Sequence, residues 1–344
     1  MEIQKFIVGI DVSKDQFIVC IKELSLLSSV KIKGSRKFSS TPIGFSEFES
    51  WILKRSKCID TLSFVMEATG VYYENLAYFL YEKGYKVHVV LPNKVKHYAK
   101  SCNLKTKTDK VDVSMIAQMG IERKFPLWRP MSTAYKTLRD LCRERLSLLK
   151  EVNRSGNQLH AMKYAHNKLA FVMEMKVQQL DFYRKMIGEI ENEINRLIDA
   201  DLYLKSKIEN ISRIKGLQRL TIISIICETN GFILFDNIKQ VISYTGLDIV
   251  MNESGNFTGR TRISKKGNSH IRHCLYMPAI SAAIHNPTLK PFYERIVERN
   301  PKIKMKGIVA TMRKLLVQIY ILWKYDREYD PNYNWDKRKL KMAK

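Results

Sequence analysis

The feature that most limits how this chain can fold is its opening stretch, KFIVGIDVSKDQFIVCIKE, where a mostly apolar run from Lys5 ends on the acid Asp11. Its Ile and Val content, and the second apolar run from Gln16 to Ile21, predict two strands joined as a hairpin. A carboxylate on a central strand is costly unless something pairs with it. The downstream candidates are Glu67, which closes SFVMEATG, and Asp109 and Asp112 in KTKTDKVDVSMIAQ. These four acids read as one constellation.

The following elements give them a frame. Strands are predicted over 5–11, 16–22 and 30–38, then a helix over 43–55, a strand over 62–68, a helix over 73–83, a strand over 85–91 and a helix opened by Pro92. That order is the one found in the RNase H and RuvC nuclease fold, where the first and fourth strands lie side by side. Asp11 and Glu67 would then converge, while Asp109 and Asp112, three apart, share a helix face. Four carboxylates so close repel and raise one another's pKa values unless cations bridge them. Two Mg²⁺ ions about 4 Å apart are the usual remedy, clamping the attacking and leaving oxygens of a phosphoryl transfer. The plainer alternative has Asp109 capping a helix and Glu67 merely ending a strand.

Charge narrows the partner. The chain holds 59 Lys and Arg against 34 Asp and Glu, a formal charge of +25, with no lipid-anchoring feature, so nucleic acid is favoured over a membrane surface. Lys94, Lys96, Lys100, Lys105, Lys107 and Lys110, with His97 and Tyr98 among them, read either as a phosphate-holding surface or as a solvated basic loop. Cysteines scattered singly read as reduced thiols. With no cleavable signal and no apolar run long enough to span a bilayer, a cytoplasmic protein is expected.

Beyond Pro130 the pattern changes. Leu138, Leu141, Leu146, Leu149 and then Ile187, Ile190, Ile194, Leu197 and Leu204 recur at helical spacing, predicting at least two long helices with a break near Gly156 or Asn167. An antiparallel hairpin and a coiled-coil dimer arm would each bury that stripe. In ISRIKGLQRLTIISIICET, Gly216 falls between two helical runs, resembling a helix-hairpin-helix element; Gln218 stands where such motifs commonly carry a second glycine. The glycine-rich loop that follows carries Arg260, Arg262, Lys265 and Lys266, candidates for contact with a sugar-phosphate backbone, and Ser254 just before Gly255. Ser264 also sits among basic residues, where it would serve as a helix N-cap or compete as a reactive serine.

Taken together, GIDVSKD, MEATGVYYENL, KTDKVDVSMIA and SGNFTGRTRISKKGNSHIR resemble the IS-one-ten insertion-sequence transposases over most of the chain. The resemblance implies an α/β RuvC-like DEDD nuclease domain at 1–130, a mixed sheet flanked by helices. Long coiled-coil helices at 131–210, a mainly α transposase domain at 211–328 and a basic tail at 329–344 follow. It further implies catalytic and metal-binding roles for Asp11, Glu67, Asp109 and Asp112 with Mg²⁺, and Ser254 as nucleophile in a phosphoserine intermediate. The implied partners are donor and target double-stranded DNA, a structured guide RNA, and further copies of the chain as a dimer that forms a tetramer on DNA. Two other readings use less of the chain: a junction resolvase or endonuclease with water as nucleophile, and a non-catalytic nucleic-acid scaffold.

Overall fold

A computed structural model describes residues 3–56, 59–103, 108–255, 257–259 and 261–331. Lys105, Lys107 and Arg260 lie outside the described residues. The chain divides into two compact units, Met1–Pro130 and Met131–Lys344.

The first unit is a five-stranded mixed sheet in the order β3-β2-β1-β4-β5, made of β1 (Ile3–Val12), β2 (Gln16–Ser25), β3 (Val30–Ser39), β4 (Leu62–Glu67) and β5 (Lys86–Val90). β1 pairs antiparallel with β2 and parallel with β4, which puts the two acid-bearing strands side by side as the element order predicts. Alternation along β1 sorts its side chains between two cores. Phe6, Val8, Ile10 and Val12 join Phe48 and Trp51 of α1 (Pro42–Leu53) and Leu76 and Leu80 of α2 (Tyr73–Glu82). On the other face, Ile7 and Val65 pack with Val95 and Tyr98 of α3 (Pro92–Ser101) and Ile116 and Met119 of α4 (Asp109–Glu122).

Two glycines allow α4 to lie directly on the sheet. A Cβ at Gly9 would stand 2.4 Å from the Ala117 amide nitrogen and 2.5 Å from the Val113 carbonyl oxygen. One at Gly120 would meet side-chain methyls of Ile7 and Val65 at 2.7 and 2.8 Å. The Lys5 ammonium donates to the Ile121 carbonyl at 2.7 Å. Position 5 therefore meets 121, 7 meets 120, and 9 meets 117 and 113, so α4 runs antiparallel to β1.

The second unit opens with a helical hairpin, α5 (Thr133–Tyr164) and α6 (Ala170–Ala200). Arg145 donates to Glu191 at 2.6 Å and Ser155 to Gln179 at 3.3 Å, so the helices run antiparallel within one chain. The break falls at 165–169; Gly156 lies inside α5, where nothing stands within 4 Å of an added Cβ and an uninterrupted backbone ladder carries the residue. Leu138, Ile194 and Ile198 at the hairpin root share one core with α7 (Leu202–Ser212), α8 (Arg219–Glu228), α9 (Ile238–Thr245), α10 (Ser269–His285) and α12 (Met305–Lys324). α11 (Leu289–Arg299) adds Leu289 to it. Gly216, between α7 and α8, has φ +105° and approaches the α10 backbone at Pro278 and Ala282, so this glycine serves close packing.

Gly9→Ala should lower the melting temperature by roughly 4–10 °C, because α4 must move off the sheet to admit the methyl. Gly156→Ala, with open space and better helix propensity, should leave it unchanged or raise it slightly. Equal melting curves for the wild type and Gly9→Ala would contradict the packing.

Candidate active site

Geometry brings the four acids to one end of the sheet. Ile10 is level with Met66 in the parallel register, so Asp11 and Glu67, one residue on, stand level as well. Both share the parity of Gly9 and Val65, the face that α4 covers. From Gly9 to Asp11 the strand advances about 6.6 Å, which at about 1.5 Å per helical residue is some four positions along α4. Counting from between Val113 and Ala117 toward the helix N-terminus, that step reaches the first turn, which carries Asp109 and Asp112. Asp11, Glu67 and Asp112 are half-buried, and Asp109 is exposed.

Thr108, not Asp109, caps α4: its side chain accepts from the Val111 amide at 3.4 Å, leaving the Asp109 carboxylate out of that role. Among the described residues, no three acidic, His or Cys side chains converge closely enough to hold a metal ion. The donor set at this end nevertheless consists of carboxylate oxygens, the ligands that hard divalent cations take. Register and helix position bring the four acids to the same end of the sheet.

Of the basic run, the described Lys94, Lys96 and Lys100 lie on α3 and Lys110 on α4. On α3, Lys94, Lys96, His97 and Lys100 are exposed, whereas Tyr98 is buried and donates its hydroxyl to Glu122 at 2.8 Å. Burial and the Glu122 carboxylate push the Tyr98 phenol well up. Bonds from Gln118 and Tyr98 hold Glu122 below the usual carboxylate range. Tyr98 thus ties α3 to α4 and offers no stacking surface to a base.

In the second unit, Ser254 is presented on a tight hairpin. β7 (Glu253–Ser254) pairs with β8 (Phe257–Thr258), Ser254 standing opposite Phe257, and the turn opens at Gly255 with φ +55°. Gly255 has open space around it, and Ser254, Met251 and Phe257 are all exposed. A second small ladder, β6 (Ile249–Val250) with β9 (Arg262–Ile263), closes the loop beneath it; Arg262, Lys265 and Lys266 stand exposed. Ser264 is neither exposed nor a helix cap. Its hydroxyl donates to Asp248 at 2.5 Å and accepts from the Lys266 amide, while Asn268 caps α10 by accepting from the His270 and Ile271 amides. The shorter side chain beside a helix start loses the cap to Asn268 because the chain turns around Ser264 four residues earlier.

Two family models match this arrangement. A transposase model of DEDD type covers residues 8–162, spanning all four acids, and a model described as transposase IS116/IS110/IS902 family covers 208–294, spanning the serine loop. The chain belongs to the IS110 family of transposases. Over 328 residues it is 27% identical to the pilin gene-inverting protein of Moraxella bovis, covering 95% of this chain and 98% of that protein. The same figures hold for its counterpart in Moraxella lacunata. Among solved structures, Thermus thermophilus RuvC bound to a Holliday junction substrate is similar over 36% of this chain and 99% of that one, at 11% identity and a TM-score of 0.27. As an IS110-family transposase the protein is a DNA recombinase. No described helix is long and apolar enough to cross a membrane.

Tyr98→Phe should lower stability by about 1.5–3 kcal/mol, the worth of a hydrogen bond to a charged group, without altering DNA affinity. Replacing Lys94 and Lys96 together with Gln should instead reduce the slope of log affinity against log salt by about 1–2. A loss of affinity in Tyr98→Phe at unchanged stability would return that ring to the binding surface.

Proposed function

We propose that this transposase excises and inserts its element through Ser254, with Asp11, Glu67, Asp109 and Asp112 holding two divalent cations, Mg²⁺ by preference. The reading is carried by the register that sets Asp11 and Glu67 level at the end where α4 begins. Bound there, the cations would neutralise a phosphate and lower the cost of ionising a hydroxyl. The chain's own groups then divide the work. Ser254 Oγ attacks phosphorus; an Oγ–P bond forms as one P–O ester bond breaks, the serine proton leaves to a base, and the departing strand end takes up a proton. A strand hydroxyl reverses the step on the phosphoserine, rejoining DNA with no loss of bond energy. Arg262, Lys265 and Lys266 hold the backbone beside the serine, and Arg260, Lys105 and Lys107, basic residues of the sequence, join them in the proposal.

The serine and the acids belong to different units of the chain, and the exposed Ile249, Val250, Met251 and Phe257 around Ser254 leave apolar surface uncovered. Both features support a site completed by a second copy, in dimers that pair on donor and target DNA. A charge of +25 without a base-reading motif supports delegation of sequence choice to a structured guide RNA.

Denaturing electrophoresis with labelled DNA tests the nucleophile. Ser254→Ala should lose the covalent adduct and recombination while staying folded and nucleic-acid-bound; Ser264→Ala should keep the adduct. Cleavage without any adduct in the wild type would transfer the chemistry to water, the resolvase mechanism.

Asp11→Ala and Glu67→Ala should each abolish strand cleavage and leave DNA binding largely intact. Normal cutting by both variants would remove the acids from the reaction. Purified gently from a host carrying the complete element, the protein should retain structured RNA and release it steeply with salt; RNA-free protein would sink the guided reading.

A further inference from the structure

The serine loop, residues 246–268, is rooted in a half-buried polar cluster around the buried Glu228, to which the proposed chemistry assigns nothing. Glu228, at the C-terminal end of α8, is 7% exposed. Its carboxylate takes a two-pronged bond from Arg143 of α5, at 2.6 and 2.9 Å, and a third from the Asn268 side-chain amide at 2.6 Å. Burial pushes the Glu228 carboxyl up, yet the bonds from Arg143 and Asn268 outweigh it and hold the group below its usual value. The cluster is therefore charged and satisfied at neutral pH.

Asn268 is its most heavily used member. Its Oδ1 accepts from the His270 and Ile271 amides at 2.9 and 3.2 Å, and its Nδ2 donates to Glu228 and, at 3.3 Å, to the Tyr244 hydroxyl. Its own backbone amide donates to the Tyr244 carbonyl at 2.7 Å, and the Tyr244 hydroxyl donates to the Glu228 carbonyl at 3.1 Å. Next to it, Gly267 passes so near the main chain of α9 that a Cβ would lie 2.2 Å from the Tyr244 carbonyl oxygen. Arg272 reaches back from α10 to the Thr245 and Gly267 carbonyls at 2.8 and 3.2 Å. At the loop's other root, Gly246 ends α9 at φ +65°, and its carbonyl accepts from the Lys265 amide. Both ends are thus pinned together, while among the described residues the hairpin tip pairs through two-residue strands and a bond from the Gly259 amide to the Asn252 carbonyl at 2.7 Å.

We propose that Asn268, oriented by the Glu228–Arg143 pair, is a positioning residue for Ser254, fixing the roots of its loop to α5, α8 and α9 at once. Only an amide side chain can accept two bonds and donate two from one position. Serine retains the capping oxygen but has no amide donors, so Asn268→Ser separates the two roles. The inference rests on Ser254 as the reacting group, and its test has one readout that does not.

Full-length Asn268→Ser should melt within a few degrees of the wild type and bind DNA equally, while backbone amides of residues 249–263 exchange hydrogen at least tenfold faster and those of α8 do not. The covalent adduct should form at least tenfold more slowly. Tyr244→Phe, which removes one bond from each of Asn268 and Glu228, should move both readouts in the same direction by less, and serves if Asn268→Ser folds poorly. Unchanged exchange across 249–263 in both variants overturns the clamp. Unchanged adduct formation at raised exchange overturns the positioning role. Raised exchange with no adduct even in the wild type leaves the clamp standing and removes Ser254 as nucleophile.

Discussion

The contact on which the first unit depends is main chain against main chain, where α4 crosses Gly9 of β1. Any side chain at that position would hold helix and strand further apart and would carry Asp109 and Asp112 away from Asp11 and Glu67. Because the contact lies between backbones, the separation of the main-chain positions that bear the acids does not depend on packing rotamers at the crossing. Gly120 extends the same close approach toward the opposite end of the helix, and the Lys5 bond to Ile121 fixes its direction.

Electrostatics follow from that placement. Unit charges 4 Å apart at an effective dielectric near 20 interact by about 4 kcal/mol, so carboxylates gathered at one sheet end work against the fold unless positive charge comes near. The chain supplies it broadly, at +25, and locally through the exposed lysines of α3. In the proposed function the same lysines would meet an approaching phosphate backbone.

Much of the first unit was legible in the sequence because its strands are apolar, alternate in burial and are punctuated by Gly and Pro. The predicted strands and helices appear with shifts of a few residues, and the parallel pairing of β1 with β4 follows from their order. What stayed hidden was tertiary. Tyr98 lies among lysines, and nothing local says that its ring turns inward toward Glu122. The apolar stripe of α5 and α6 suits an intrachain hairpin and a dimer arm equally; only contacts such as Arg145 with Glu191 decide it. Ser264 and Asn268 both precede a helix, and the bond from Ser264 to Asp248, sixteen residues back, is what takes the serine out of contention as a cap. Ser254 is visible as a serine before a glycine, but its exposure on a hairpin tip depends on pairing between strands of two residues.

The helical hairpin has a mechanical consequence. A 32-residue helix such as α5 is about 48 Å long, more than the ~34–36 Å of one turn of duplex DNA. Arg143 grips Glu228 near the root, leaving most of that length as a lever. From Arg143 to Tyr164 the helix spans about 32 Å, so a tilt of about 5° there would sweep the far end through about 3 Å. A small motion where Arg143 meets Glu228 therefore corresponds to a much larger one at the far end of the hairpin, and that fulcrum is part of the cluster that holds the serine loop.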